Sequence, residues 1–112
     1  MYQTIILLHF LRQFKHLSKK FRTLKHDLII ALEKFDPDQH IHLGKDVYKV
    51  RLHSRSLTRG KSKSLRLIVL VIRQDSFLVP ITIYFKGDQA DISQKEVNDQ
   101  LNIILLELRR SN

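Results

Sequence analysis

Val47-Tyr48-Lys49-Val50-Arg51-Leu52 alternates in character. Tyr48, Val50 and Leu52 share one parity, Lys49 and Arg51 the other. Side chains of a strand point to opposite faces in turn, so this stretch reads as a half-buried strand, apolar toward a core and cationic toward the outside. A basic run follows it, from Arg55 to Arg66. Arg59, Lys61 and Lys63 fall in a loop with Gly60, and Arg66 opens the apolar run Leu67 to Ile72. No acidic residue stands between Asp46 and Asp75. A sheet that gathers so much positive charge at one end is built to meet phosphates.

Working outward, Leu65 to Arg73 and Phe77 to Lys86 are two apolar runs joined by Gln74-Asp75-Ser76, a hairpin signal. Pro80 cannot donate to a ladder and predicts a bulge, with regular pairing from Ile81 onward. Upstream, Phe10, Phe14, Leu17 and Phe21, then Leu24, Leu28, Leu32 and Phe35, recur at the helical period. They predict two helices broken near Ser18 to Lys20, a hairpin whose apolar stripe lies on the sheet. Arg12, Lys15, Lys19, Lys20, Arg22 and Lys25 make its other face. Asp36-Pro37-Asp38 ends the second helix, since proline disfavours helical geometry in the residue before it. A loop then runs to Gly44-Lys45-Asp46. Tyr2 to Leu8 is rich in large apolar residues without alternation and reads as a strand covered on both faces.

The last element is marked at both ends. Ser93 and Glu96 form a capping-box pattern, with Ile92 and Val97 placed as a hydrophobic staple. Val97, Leu101, Ile104, Leu105 and Leu108 form its apolar stripe. Arg109 and Arg110 complement the helix dipole at its end. Strand, two helices, three strands and a helix make an α+β domain over residues 1–112, with a mainly antiparallel four-stranded sheet.

Lys and Arg outnumber Asp and Glu by 20 to 11 in 112 residues, a formal charge of +9. Such a chain favours nucleic acid, an anionic surface or an acidic partner. The absence of cysteine excludes a disulfide scaffold and a thiolate metal site, and it fits a reducing cytoplasm. No apolar stretch approaches a membrane span. Ile5-Ile6-Leu7-Leu8 has its basic residues after it rather than before it, the reverse of a secretory signal. There is no Gly-rich phosphate loop, G-x-S-x-G or HExxH. His40 and His42 lie two apart with no third ligand of matching logic, so neither a metal nor another cofactor is expected.

Two residues bear on how the cations gather. Arg66 shares parity with Ile68, Leu70 and Ile72, so its guanidinium is either at the sheet end or partly enclosed. An enclosed arginine demands an anion or acceptors, and Asp88 is the structural alternative. A tight hairpin would bring Lys86 beside Arg66, placing Lys49, Arg51, Arg66 and Lys86 in one concavity. Cations alone can promote attack of an RNA 2′-hydroxyl on its neighbouring phosphate. Lysines crowded by other cations move protons near neutral pH, and arginines stabilise the developing charge. His53 continues the outward parity of Lys49 and Arg51, as a proton relay or an ordinary surface histidine.

Asp46-Val47-Tyr48-Lys49-Val50-Arg51-Leu52, Arg59-Gly60-Lys61-Ser62-Lys63-Ser64, the arginine-led strand Leu65-Arg66-Leu67-Ile68-Val69, and Ile83 to Ser93 together resemble the RelE/ParE superfamily of type II toxin–antitoxin toxins. The resemblance spans most of the chain. It implies a compact toxin silenced by a cognate antitoxin. In RelE-like members it implies metal-independent cleavage of mRNA on the ribosome. Carried over by position, the catalytic set is Lys49, Arg51 and Arg66, with Lys86 as a looser match. The clustered charge beside them makes Arg55, Arg59, Lys61, Lys63 and His53 the expected RNA contacts. The C-terminal tyrosine that several RelE-like members stack on a base has no counterpart, because the last helix contains no aromatic residue. ParE-like members of the same fold inhibit DNA gyrase instead, so the fold does not decide the function. A non-toxic basic module that binds only RNA or an antitoxin is the third reading.

Overall fold

The computed structural model describes residues 1–52, 65–87 and 91–110. Its elements are β1 (Gln3–Thr4), α1 (Leu8–Ser18), α2 (Leu24–Glu33), β2 (Ile41–Gly44), β3 (Val47–Leu52), β4 (Leu65–Ile72), β5 (Phe77–Phe85) and α3 (Gln94–Arg110). They form the expected α+β arrangement. The sheet has five strands in the order β1-β5-β4-β3-β2. Among the described residues only the β1–β5 pairing is parallel.

Two cores lie on opposite faces of this sheet. Phe10, Leu24 and Leu28 of α1 and α2 pack on Tyr48, Val50, Leu52, Leu65, Leu67 and Val69. Val97, Leu101 and Ile104 of α3 pack on Val47, Ile68, Leu70, Val79 and Ile81. Strands β4 and β5 are therefore buried along nearly their whole length. This explains their continuous apolar runs, whereas β3 alternates. Pro80 sits opposite Val69 at a register shift, the expected bulge. No helix among the described residues is long and apolar enough to cross a membrane.

Four details differ from the sequence reading. The stretch Tyr2 to Leu8 contributes only two residues of strand, at the sheet edge and partly exposed, and Leu8 already begins α1. Ile41–Gly44, read as loop, pairs with β3 as an edge strand. Its residues are mostly exposed, so no apolar signal announced it. The turn from β2 to β3 holds Lys45 and Asp46 at φ 49° and 63°, positions that usually attract Gly or Asn. Asp46 is fixed there by Arg73, whose Nε donates to Oδ1 at 2.9 Å, and by the backbone N–H of Val71 on its carbonyl at 2.9 Å. Leu105 is not part of the buried stripe of α3; it is over a third exposed.

The helix ends account for how the elements dock. Ser93 caps α3, its Oγ accepting from the Glu96 N–H at 3.1 Å. Leu7 precedes α1 and has no capping side chain of its own. The carboxylate of Glu107, far away on α3, accepts from the N–H groups of Leu8 at 2.5 Å and His9 at 3.0 Å. It satisfies first-turn donors and opposes the positive end of the dipole. Beside it, Gln100 and Gln13 meet His9, and the Gln13 Oε1 accepts from the Thr82 hydroxyl at 2.6 Å. Replacing Glu107 with Ala should cost about 1–2 kcal/mol, the usual worth of a cap, measured by urea denaturation. An unchanged midpoint would mean that water serves those donors equally well.

Candidate functional site

Lys49 and Arg51 share the parity of Val47, and Arg66 that of Ile68, so all three lie on the α3 face of the sheet. Arg51 stands directly opposite Arg66, and Arg66 in turn opposite Tyr84. Leu65 pairs with Phe85, so Lys86 leaves β5 next to the start of β4. Gly87 follows it. A β-carbon there would fall 2.3 Å from the Phe85 ring, so a residue without a side chain suits this exit.

The helix α3 covers the Val47 and Leu70 end of this face, and the cations occupy the other. There Lys49, Arg51, Arg66 and Lys86 line one hollow of about 270 Å³, with Gln39, His40, Ile41 and Asp91 completing the wall. A second hollow of about 460 Å³ shares Gln39, His40 and Arg51 and adds Asp27 and Lys34. A larger groove of about 810 Å³ between β1 and the first two helices is mostly apolar, lined by Phe10, Phe14, Leu28 and Leu32. It lacks the cation cluster that a phosphate needs. Arg55, Arg59, Lys61, Lys63 and His53, the expected RNA contacts, lie outside the described residues, as does Asp88.

Arg66 is the unusual member. It is only 3% exposed, between two strands, and its Nη1 is buried with no hydrogen-bond partner among the described residues. A buried, incompletely paired guanidinium facing a second arginine costs stability. An anion in the hollow would offset that cost.

Among the described residues Asp91 is the one carboxylate in the lining, and sequence reading missed it. Its Oδ2 accepts from Lys49 Nζ at 2.9 Å. Its Oδ1 accepts from the Tyr84 hydroxyl and from the Ile92 N–H at 3.1 Å. The Tyr84 hydrogen bond first, then Lys49, hold the carboxyl down at about 2. Burial, then the bond to Asp91, push the Tyr84 hydroxyl well above the usual tyrosine range, so it donates at any ordinary pH. The local cue in the sequence is an acid just ahead of a capping serine. Nothing local says that it reaches a lysine 42 residues away.

This arrangement has a pH signature. A carboxylate with a depressed pKa contributes stability that is full above its ordinary value of 3.8 and is lost as pH falls toward about 2. The stability difference between the native chain and Asp91→Asn should therefore be constant above pH 3.8 and vanish near pH 2. Denaturation midpoints across that range test it, and a difference independent of pH would remove the ionic contribution.

His40 and His42 have packing roles. His40 stacks on Phe35 at 5.3 Å and His42 on Tyr48 at 4.8 Å. Burial lowers the His40 pKa. No group of three His, Cys, Asp or Glu among the described residues is placed to hold a metal ion.

Comparisons with known proteins agree with the architecture. A family model described as the RelE toxin of the RelE / RelB toxin-antitoxin system matches residues 8–108. Among solved structures, a free-state double arginine-to-alanine mutant of the E. coli toxin RelE is similar, with a TM-score of 0.54 and 22% identity. That match covers 79% of this chain and 86% of the other. No curated protein sequence matches the chain.

Proposed function

The chain belongs to the RelE toxin family, and from that premise we propose that it cleaves mRNA on the ribosome, without a metal ion, by 2′-hydroxyl attack. The observation that carries this reading is the convergence of Lys49, Arg51, Arg66 and Lys86 on one hollow. A phosphodiester held there meets charge from two strands, β3 and β4, and from the residue after β5.

In the reaction the 2′-oxygen bonds to phosphorus, the bond to the 5′-oxygen breaks, and a 2′,3′-cyclic phosphate and a 5′-hydroxyl result. One proton leaves the 2′-hydroxyl and one joins the 5′-oxygen. Arg66 and Arg51 stabilise the extra negative charge of the transition state. Of the four cations only the lysines can release a proton. Lys86, with no ion pair among the described residues, is assigned the proton that joins the 5′-oxygen, and the proton of the 2′-hydroxyl passes to water. Lys49, held by Asp91, is assigned the charge. The ribosome would supply the positioning that such a small site lacks. The partner that silences it is an antitoxin.

Purified protein should cut a message on translating ribosomes and leave a cyclic phosphate end. Replacing Lys49, Arg51 and Arg66 together with alanine should abolish both cleavage and growth arrest. Full toxicity of a folded triple variant would end this reading. Intact messages with DNA damage signalling would favour gyrase as the target.

A further inference from the structure

The hollow is not uniformly cationic, and its exception points to a specificity element. We propose that Asp91 is the residue that selects ribose over deoxyribose, by accepting a hydrogen bond from the 2′-hydroxyl beside the bound phosphate. This rests on the RNA reading above and names the group that distinguishes RNA within it.

An ionised carboxylate offers about four acceptor sites. Lys49 Nζ, the Tyr84 hydroxyl and the Ile92 N–H fill three. Among the described residues nothing takes the fourth, on a side chain 40% exposed that lines the hollow with the four cations. Asp91 stays ionised at any ordinary pH, so it is acceptor-only and repels phosphate oxygens. A ligand part lying against it must be a donor. The cations take the phosphate and the carboxylate takes what sits next to the phosphate. In a nucleic acid backbone the donor in that place is the 2′-hydroxyl, which DNA lacks. The three fixed donors also hold the carboxylate rigidly, so the remaining acceptor direction is set before the ligand arrives.

The test is equilibrium binding, at one fixed salt concentration, of three fluorescein-labelled oligonucleotides of one sequence: ribose, deoxyribose and 2′-O-methyl. The native chain should prefer the ribose form over both others by about tenfold, the worth of one hydrogen bond to a charged group. Asp91→Asn should bind the deoxyribose and 2′-O-methyl forms more tightly than the native chain does, because the repulsion is gone. Its preference should fall toward one. Tyr84→Phe disturbs the same anchor but keeps the carboxylate, and should keep the preference. An unchanged preference in Asp91→Asn overturns the inference. So does an equal loss for all three oligonucleotides, or loss of preference in both variants, which would mark a structural anchor. Equal binding of the three by the native chain overturns it while leaving the RNA reading intact. Failure of the native chain to bind RNA at all overturns both.

Discussion

Arg66→Met should stabilise the fold while removing its activity. Arg66 is buried, stands opposite Arg51, and has an Nη1 with no partner among the described residues. Methionine matches the length of its aliphatic stem, removes the like-charge pair and leaves nothing unsatisfied. Replacing buried ionic groups with apolar ones of similar volume gains about 1–3 kcal/mol in favourable cases. On the proposed mechanism the same change removes a donor to the phosphate, and losing one such group lowers a rate by about 100- to 1,000-fold. Urea denaturation and ribosome-dependent cleavage, measured on the same preparation, should move in opposite directions. A loss of stability of about 3 kcal/mol or more would mean that the guanidinium already has an acceptor, and that its role is structural.

Ile68→Ala should be the most damaging single change to the sheet. Ile68 is fully buried, lying between Lys49 on β3 and Thr82 on β5 and beneath α3. Truncation removes transfer free energy and leaves a cavity, together about 2–5 kcal/mol. A domain of this size has about 5–15 kcal/mol in all. Thermal unfolding would show the loss as a midpoint lower by many degrees. The strand carrying Arg66 would loosen with it, so growth arrest should weaken as well. A cost below about 1 kcal/mol would mean that α3 settles into the gap.

Much of this architecture was legible in the residues because the physics there is local. Alternation in Val47 to Leu52 set the face of every cation on that strand. The helical period of Phe10 to Phe35 predicted the hairpin, and Ser93 with Glu96 predicted where α3 begins. The convergence of Lys86 with Arg66 followed from a tight hairpin, and the Leu65–Phe85 register has that form. What stayed hidden depends on distant partners. No Ser, Thr, Asp or Asn announces the start of α1, because Glu107 supplies the cap from the other end of the chain. The tail of the Tyr2 to Leu8 run therefore passed for strand. The strand Ile41–Gly44 is an exposed edge turned by Lys45 and Asp46, and its glycine stands one place ahead of the two central positions where a hairpin tip usually shows it. Asp91 belongs to the same class. Its meaning lies in Lys49 and Tyr84, which only the folded sheet brings to it.

Glu107 also changes what the amides at the head of α1 report. In most helices the first N–H groups face solvent and trade hydrogen for deuterium quickly. Here those of Leu8 and His9 are held by a side chain from the last helix. Their exchange rate becomes a gauge of whether α3 is seated, so the opening and closing segments of the polypeptide should lose protection together, as one cooperative unit.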